Sequence, residues 1–559
     1  MTELNTKPRR NVLYMTLFVL LALLLGIIMG RYDRWPMIKL VSTAIAIKKN
    51  ITIRFVGEQV FVERTLADNY TISNTKPSVL VRTVDTSVLP LSLTTFPLSG
   101  NGVFAANDDL VRGALTRIGK SLLVMDKLGN IFEFKNDTLN RKEYGDFPNG
   151  INAAILATIP SSGRPLSLTA VRTLYIAYDK RSSRIFVSHQ KYNPTTRHVR
   201  FTISSITVDG ENLAKAGSWH TIFETEDIPN DLSFRGATGG RLLVAGNYLY
   251  FSIGDYNFGQ VPQQESELTA QSKGSPFGKI FQYDLASGKA TVKSIGHRNP
   301  QGLAIDNEGH LLNTEHGPEG GDELNIVVDG NNYGWPYKTY GADYGTFGWP
   351  IKFRAPDIVF TEPLFAWVPS IAVSPIIRIN AFDDRWNGDL LVGSLKAQTL
   401  FRLRTKQNRV LFSEPIWIGH RIRDIVEIPG GIALLTDDPA LIFLRVDSSR
   451  LTVNTKMQKN VEMTPSLAKC LNCHHFGETN STNLAPTLAS IIGKKIASDG
   501  FDRYSEALSG RGGTWDVQSL EAFIRNPNKF APGTSMPNQN LSDAQIKAII
   551  STLGATRVK

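Results

Sequence analysis

"GRLLVAGNYLYFSIGD", residues 240–255, decides the fold. Two β-prone runs, 242–245 and 248–253, flank a Gly-Asn pair, so the stretch reads as strand, tight turn, strand. The same unit recurs between residues 40 and 450. It appears in "SLLVMD", "IFEF", "TLYIAYD", "RIFVSHQ", "KIFQYDL", "DLLVGSL" and "TLFRLR", with turns such as "KLGN" and "NEGH" between runs. No sustained 3.6-residue period interrupts them. Four-stranded antiparallel sheets repeated radially make a β-propeller, and a run of about 400 residues suits six to eight blades. A large sandwich or barrel is the competing reading. Residues 36–100, including the alternating "ITIRFVGEQVFVERT", read as either a stalk or the first strands of the same unit.

A chain of 559 residues exceeds one ordinary core, so more than one domain is expected. The composition, 42% hydrophobic and 20% charged, is that of a folded protein. The net charge of +10 suits a solvated basic face or an anionic surface. No Lys/Arg cluster of nucleic-acid type, Walker A pattern or G-x-G-x-x-G after a strand occurs, so no nucleic-acid partner is expected. Near the start, Lys7, Arg9 and Arg10 precede an uncharged run over 12–30. As a helix, that run would span about 28 Å, close to the roughly 30 Å of a bilayer's hydrocarbon core. The basic flank predicts a single-pass anchor with the N-terminus in the cytoplasm and the bulk of the chain in the periplasm of a bacterial inner membrane. A cleavable signal peptide competes, but "GIIMGRYD" is a poor cleavage site.

Both cysteines of the chain lie in "KCLNCHHFGE", residues 469–478. Cys470-Leu471-Asn472-Cys473-His474 fits C-x-x-C-H, the attachment signature of c-type haem. Two thiols add to the two porphyrin vinyl groups, and the adjacent histidine is carried under the ring to ligate iron. A redox dithiol would sit near a βαβ pattern, and a zinc site needs a second ligand pair; neither is visible. His475 is out of register and reads as a bystander. Met536 lies in a loop bracketed by Pro532, Gly533 and Pro537, followed by a helix starting at Ser542 or Asp543 with apolar Ile546, Ile549, Ile550 and Leu553. A methionine so placed is the expected second axial ligand.

Residues 458–559 resemble a class I cytochrome c domain, through "LAPTLASIIGKK" and "YSEALSGRGGTWDVQSLEAFIRNPNKFAPGTSMP". The resemblance implies a small all-α domain. It also implies that the Pro486 carbonyl accepts from the His474 ring and that Trp515 packs near the haem. Upstream, "GHRNPQGLAID" (296–306), "TEHGPEGGDELN" (314–325), "NNYGWPYKTYG" (331–341), "WVPSIAVS", "SLKAQTLFRLR" and "HRIRDIVEIPGGIALLTDD" resemble the glucose/sorbosone dehydrogenase family over about residues 100 to 446. That resemblance implies a six-bladed propeller using pyrroloquinoline quinone (PQQ) with calcium. Its quinone-binding lysine and R-x-R pair match Lys396, Arg421 and Arg423; on a strand the two arginines share one face, and guanidinium forks suit a tricarboxylate. A plain surface R-x-R is the bland alternative. Glu265, in "VPQQESE", is the calcium candidate, against a solvated acidic loop.

Two departures stand out. The family's catalytic histidine position reads Ala237, in "RGATGGRLLVAG", and its Arg-Asn pair after "GD" is absent from "GDYNFGQ". Asp255, His297, Glu315 and His316 are the stand-ins available as general base. The chain therefore divides into an anchor (1–31), a linker or first strands (32–100), a propeller (100–450) and a cytochrome c domain (458–559). The function expected is a membrane-anchored quinohaemoprotein passing electrons from a sugar or alcohol through haem c to a respiratory acceptor. The alternative is an electron-transfer cytochrome with a non-catalytic propeller binding module.

Overall fold

The computed structural model describes residues 58–59, 71–73, 79–101, 113–157, 171–210, 213–215, 217–228, 237–256, 268–342, 357–437, 440–450, 467, 470, 474, 485–501, 504–539 and 541–555. The predicted anchor over 12–30 lies outside them; among the described residues no helix is long and apolar enough to cross a membrane.

Six antiparallel sheets of four or five strands follow one another along the chain. Their first strands are Ala114–Ile118, Thr173–Asp179, Gly239–Ala245, Pro300–Ile305, Val373–Arg378 and Ile422–Ile428. Each touches the next, and the last returns to the first, so the sheets are the blades of a closed six-bladed propeller, numbered here from Ala114. Second strands such as Leu311–Glu315, Leu390–Ser394 and Gly431–Thr436 are buried at every position. Such strands are covered on both faces by neighbouring blades, so they lack the in-and-out alternation of an outer strand. The outer strand Val410–Trp417 alternates exposed and covered positions. The two quoted turns share one mechanism. In "KLGN", Asp126 Oδ1 accepts from the Leu128 and Asn130 amides (both 2.9 Å). In "NEGH", Asp306 Oδ1 accepts from Glu308 (2.9 Å) and His310 (2.8 Å). Gly129 and Gly309 take the positive φ each turn requires.

Blades are stitched by hydroxyls. Ser188, Ser252 and Thr314, on the second strands of blades 2, 3 and 4, donate to Gly240 O (2.5 Å), Pro300 O (2.9 Å) and Ser374 O (3.0 Å) of the next blade. Closure uses the segment whose role the sequence left open. Blade 6 has the order Ile422–Ile428, Gly431–Thr436, Ala440–Val446, Pro90–Pro97, Leu80–Asp85, so residues 80–97 supply its two outer strands. Leu91 and Leu93 are fully buried there, each stabilising the ring by about 1.5–3 kcal/mol.

The inner strands all begin at one end of the channel, the mouth, because hydrogen bonds join their starts: Tyr175 Oη to Gln301 (2.9 Å), Leu115 N to Asp424 (2.8 Å) and Ser374 Oγ to the Arg423 carbonyl (3.2 Å). Ala440–Val446 runs away from the mouth, and beyond it Asp447 N bonds Pro90 O (2.9 Å) and Arg450 pairs with Asp85 (3.0 Å). The chain therefore leaves the propeller at the far end.

The C-terminal region is helical, as expected. Asp516 caps Val517–Arg525 in a reciprocal capping box with Ser519. Helix Asp543–Ala555 buries Ile546, Ile549, Ile550 and Leu553 against that helix's Leu520, Phe523 and Ile524.

Candidate functional site

Alternation on Ile422–Ile428 and the turns that follow second strands bring the motif residues to the mouth. A cleft of about 300 Å³ there is lined by Thr173, Leu174, Tyr175, Thr238, Gln301 and Arg423. Its floor is an ion-pair lattice. Arg241 pairs with Asp424 at 2.6 Å and lies over the Tyr175 ring, 4.8 Å from its centroid. Arg423 grips Asp437 with one edge of its guanidinium, Nε to Oδ1 and Nη2 to Oδ2, each 2.7 Å. Although burial opposes its charge, Asp437 and Tyr175 hold Arg423 above the ordinary arginine value. Arg421 reaches the same carboxylate through Nε at 3.4 Å. Lys396 is exposed on the neighbouring rim, its amide bonded to Ile371 O. The two predicted arginines thus meet at one carboxylate, with the predicted lysine on the next blade's corresponding turn.

The four stand-ins for a base separate clearly. His297 is fully buried: Nε2 meets Ser294 Oγ at 2.8 Å, Nδ1 meets Glu315 at 3.1 Å, and the ring stacks on Tyr333. It and Glu315 therefore belong to a closed interior cluster. Burial beside Glu315 pushes the Glu323 carboxyl well above the usual range in that cluster. Asp255 is also buried, accepting from Trp335 Nε1 at 2.5 Å. His316 is half-buried; its ring bonds the Val373 backbone, and Nε2 has no partner. Burial lowers its pKa to about 4, with Arg298 and Arg423 adding to that and Asp322 opposing it, so the imidazole is neutral at pH 7.

Ala237 is buried, and its carbonyl accepts from Tyr256 N at 3.1 Å. Arg298 and Asn299 of the next blade bond to this corner. Arg298 O accepts from Asp255 N (2.8 Å), and Asn299 Oδ1 accepts from Gly239 N (3.1 Å). The sequence reading missed this pair, as it missed Tyr175, Gln301, Arg241, Asp424 and Asp437. Most stood in quoted motifs, but nothing local marked them as partners. Glu265 lies outside the described residues; nearby, the buried Lys279 ammonium donates to the Thr269, Ala270 and Phe277 carbonyls (2.7–2.9 Å).

In the C-terminal region, Cys470, His474, Pro486, Trp515 and Met536 line one cavity of about 670 Å³. The rest of its wall is mostly apolar, with Leu488, Ile491, Phe523 and Ile549 among it. His474 Nδ1 lies 2.8 Å from Pro486 O. That bond places the proton on Nδ1 and leaves Nε2 for a metal. Trp515 is both wall and core, packed on Phe523 and Phe530. Cys473 and His475 lie outside the described residues. A thiol, an oriented imidazole and a thioether around an apolar cavity fit a c-type haem.

The glucose/sorbosone dehydrogenase family model matches residues 169–444. The aldose sugar dehydrogenase YliI of Escherichia coli is 33% identical over 253 residues, covering 42% of this chain and 66% of that one. Quinoprotein glucose dehydrogenase B of Acinetobacter calcoaceticus is 27% identical, covering 41% and 51%. A cytochrome c homolog of Rickettsia typhi is 40% identical over 77 residues, covering 14% and 44%. The chain thus spans less than two thirds of each of these three relatives. With the propeller, its mouth and the C-terminal cavity in place, these matches show that the chain belongs to the glucose/sorbosone dehydrogenase family and carries a region similar to cytochrome c.

Proposed function

We propose that this chain oxidises a sugar or alcohol at the propeller mouth with PQQ and delivers the electrons through a covalently bound c-type haem. The observation that carries it is one chain holding both a cation-lined mouth and a cavity bearing Cys470, His474 and Met536. PQQ, when bound, supplies a two-electron acceptor. Lys396 and Arg421 offer cationic groups suited to its carboxylates, and Arg423 lines the cleft beside them. Tyr175 and Gln301, bonded to each other, floor the cleft with polar groups of the kind that orient hydroxyls. Ala237 offers no base; of the four stand-ins we assign the proton of the reacting hydroxyl to His316, whose buried Nε2 has no partner in the fold. Calcium would draw oxygen ligands from the 261–267 loop, Glu265 included. In the C-terminal cavity, Cys470 and Cys473 would tether haem while His474 and Met536 take the iron's axial positions, and Pro486 fixes the histidine ring.

The run over 12–30 would anchor the chain in a bacterial inner membrane, with both domains periplasmic and a respiratory carrier as acceptor. The test is direct. Haem-loaded protein is mixed with PQQ and calcium and offered a panel of aldoses and alcohols. Substrate-dependent reduction of the haem absorption bands is the expected result. No PQQ binding, with a normal haem spectrum, would leave the second reading: a cytochrome whose propeller only binds. Ala237 favours that second reading.

A further inference from the structure

Strand Lys279–Asp284 of blade 3 begins with a fully buried lysine. The Lys279 ammonium donates to three backbone carbonyls: Phe277 at 2.7 Å, Ala270 at 2.8 Å and Thr269 at 2.9 Å. An ammonium has three donors, so these acceptors match its full capacity. All three belong to one loop, 268–278, which Gly278 closes at φ +67°; a Cβ there would meet Ala270 and the His297 carbonyl. Carbonyls turned to one interior point are costly unless donors or a cation sit among them. Asp255 adds negative potential to the same spot.

The loop in turn holds a corner of the mouth. Gln271 donates to the Trp335 carbonyl (2.6 Å) and exchanges two bonds with Asn332 (2.7 and 3.1 Å). Trp335 Nε1 donates to Asp255 at 2.5 Å. The Arg298 guanidinium lies over the Trp335 ring, 5.3 Å from its centroid, and Nη1 donates to the Gly317 carbonyl at 2.6 Å, beside His316.

We infer that the Thr269, Ala270 and Phe277 carbonyls form a monovalent-cation site that the chain fills with its own Lys279 ammonium, making Lys279 a positioning residue for the Trp335 corner. Grouped backbone carbonyls replace the hydration shell of potassium in ion channels. With the ammonium removed, the same three oxygens suit potassium or a small alkylammonium ion. Neither half depends on what the mouth binds.

Chemical rescue on the full haem-loaded chain tests the site, at about pH 6, below the value of about 7 to which burial lowers the ammonium. Lys279→Ala removes the atoms of n-propylammonium, whereas Lys279→Met keeps an uncharged stem. Both should lower the urea midpoint of the propeller, read by tryptophan fluorescence. In Lys279→Ala, n-propylammonium should restore about half or more of the lost midpoint, as a ligand of the folded state alone. Potassium should restore part of it and bulky choline none. Lys279→Met should respond to no cation, because its stem fills the space. A native midpoint in Lys279→Met, an alanine variant indifferent to both n-propylammonium and potassium, or equal rescue by choline overturns the cation site. The corner is read separately, with fluorotryptophan incorporated. The fluorine resonance assigned by Trp335→Phe should move in Lys279→Ala and return with n-propylammonium; an unmoved resonance overturns the positioning role. Should Lys279→Ala fail to fold unaided, refolding yield takes the place of the midpoint: recovery with n-propylammonium and not with choline supports the site, and equal yields overturn it.

Discussion

Asp424→Asn should destabilise the propeller by about 2–4 kcal/mol, and the number follows from its burial and two contacts to other blades. Asp424 is 1% exposed, pairs with Arg241 at 2.6 Å, and accepts from Leu115 N at 2.8 Å, so it joins blades 6, 3 and 1 across the mouth floor. An amide keeps the shape and one acceptor but removes the charge opposite Arg241. A hydrogen bond to a charged group is worth about 1.5–3 kcal/mol; a buried charge left fully uncompensated costs about 3–5 kcal/mol. The amide falls between these limits. Urea unfolding followed by tryptophan fluorescence measures the loss as a lower midpoint, while the haem absorption reports the C-terminal domain as an internal control. The cycle partner is Arg241→Met. With the cation gone, the same Asp424→Asn change should cost under about 1 kcal/mol, a coupling of at least about 1 kcal/mol. An equal cost in both backgrounds, or a loss below about 1 kcal/mol in the native one, would refute the lattice as the floor's main support.

Three further outcomes are expected. Met536→Ala should abolish the methionine–iron charge-transfer absorption and lower the haem potential, because a thioether ligand favours the ferrous state; an unchanged spectrum rules out Met536 as ligand. Two buried histidines should each withdraw stability from the fold below about pH 6.5. Burial, helped by Lys191, lowers His189 to about 3, and His316 lies at about 4, so the unfolded chain takes up these protons first. Each removes about 3 kcal/mol by pH 4, and His189→Gln should flatten the slope of urea midpoint against pH; an unchanged slope would contradict it. Finally, the chain leaves the propeller at the end opposite the mouth. Residues 451–466 span at most about 55 Å if extended, against about 23 Å for strand Ala440–Val446 alone. Deleting eight of them should make haem reduction depend on protein concentration; first-order reduction at every concentration would show that the haem is reached another way.

What the sequence held was local. The C-x-x-C-H signature was legible because it needs only five consecutive residues, and Met536 stood out because its Pro/Gly-bracketed loop precedes an amphipathic helix; the structure brings Cys470, His474 and Met536 to one cavity. The propeller was legible because each hairpin of "GRLLVAGNYLYFSIGD" type carries its own turn chemistry, and buried second strands betray themselves as apolar runs. Arg421 and Arg423 could be placed on one face by alternation alone. Tertiary structure decided whatever pairs residues far apart in the chain. Residues 80–97 close a ring that ends at Val446, 336 positions separate Arg82 from its partner Ile418, and Asp424 meets Arg241 across 183. It turned His297 from a candidate base into a packed interior group. The physical reason is that turns and attachment motifs are settled by neighbours along the chain, whereas charge pairing and burial depend on which strands the ring brings side by side.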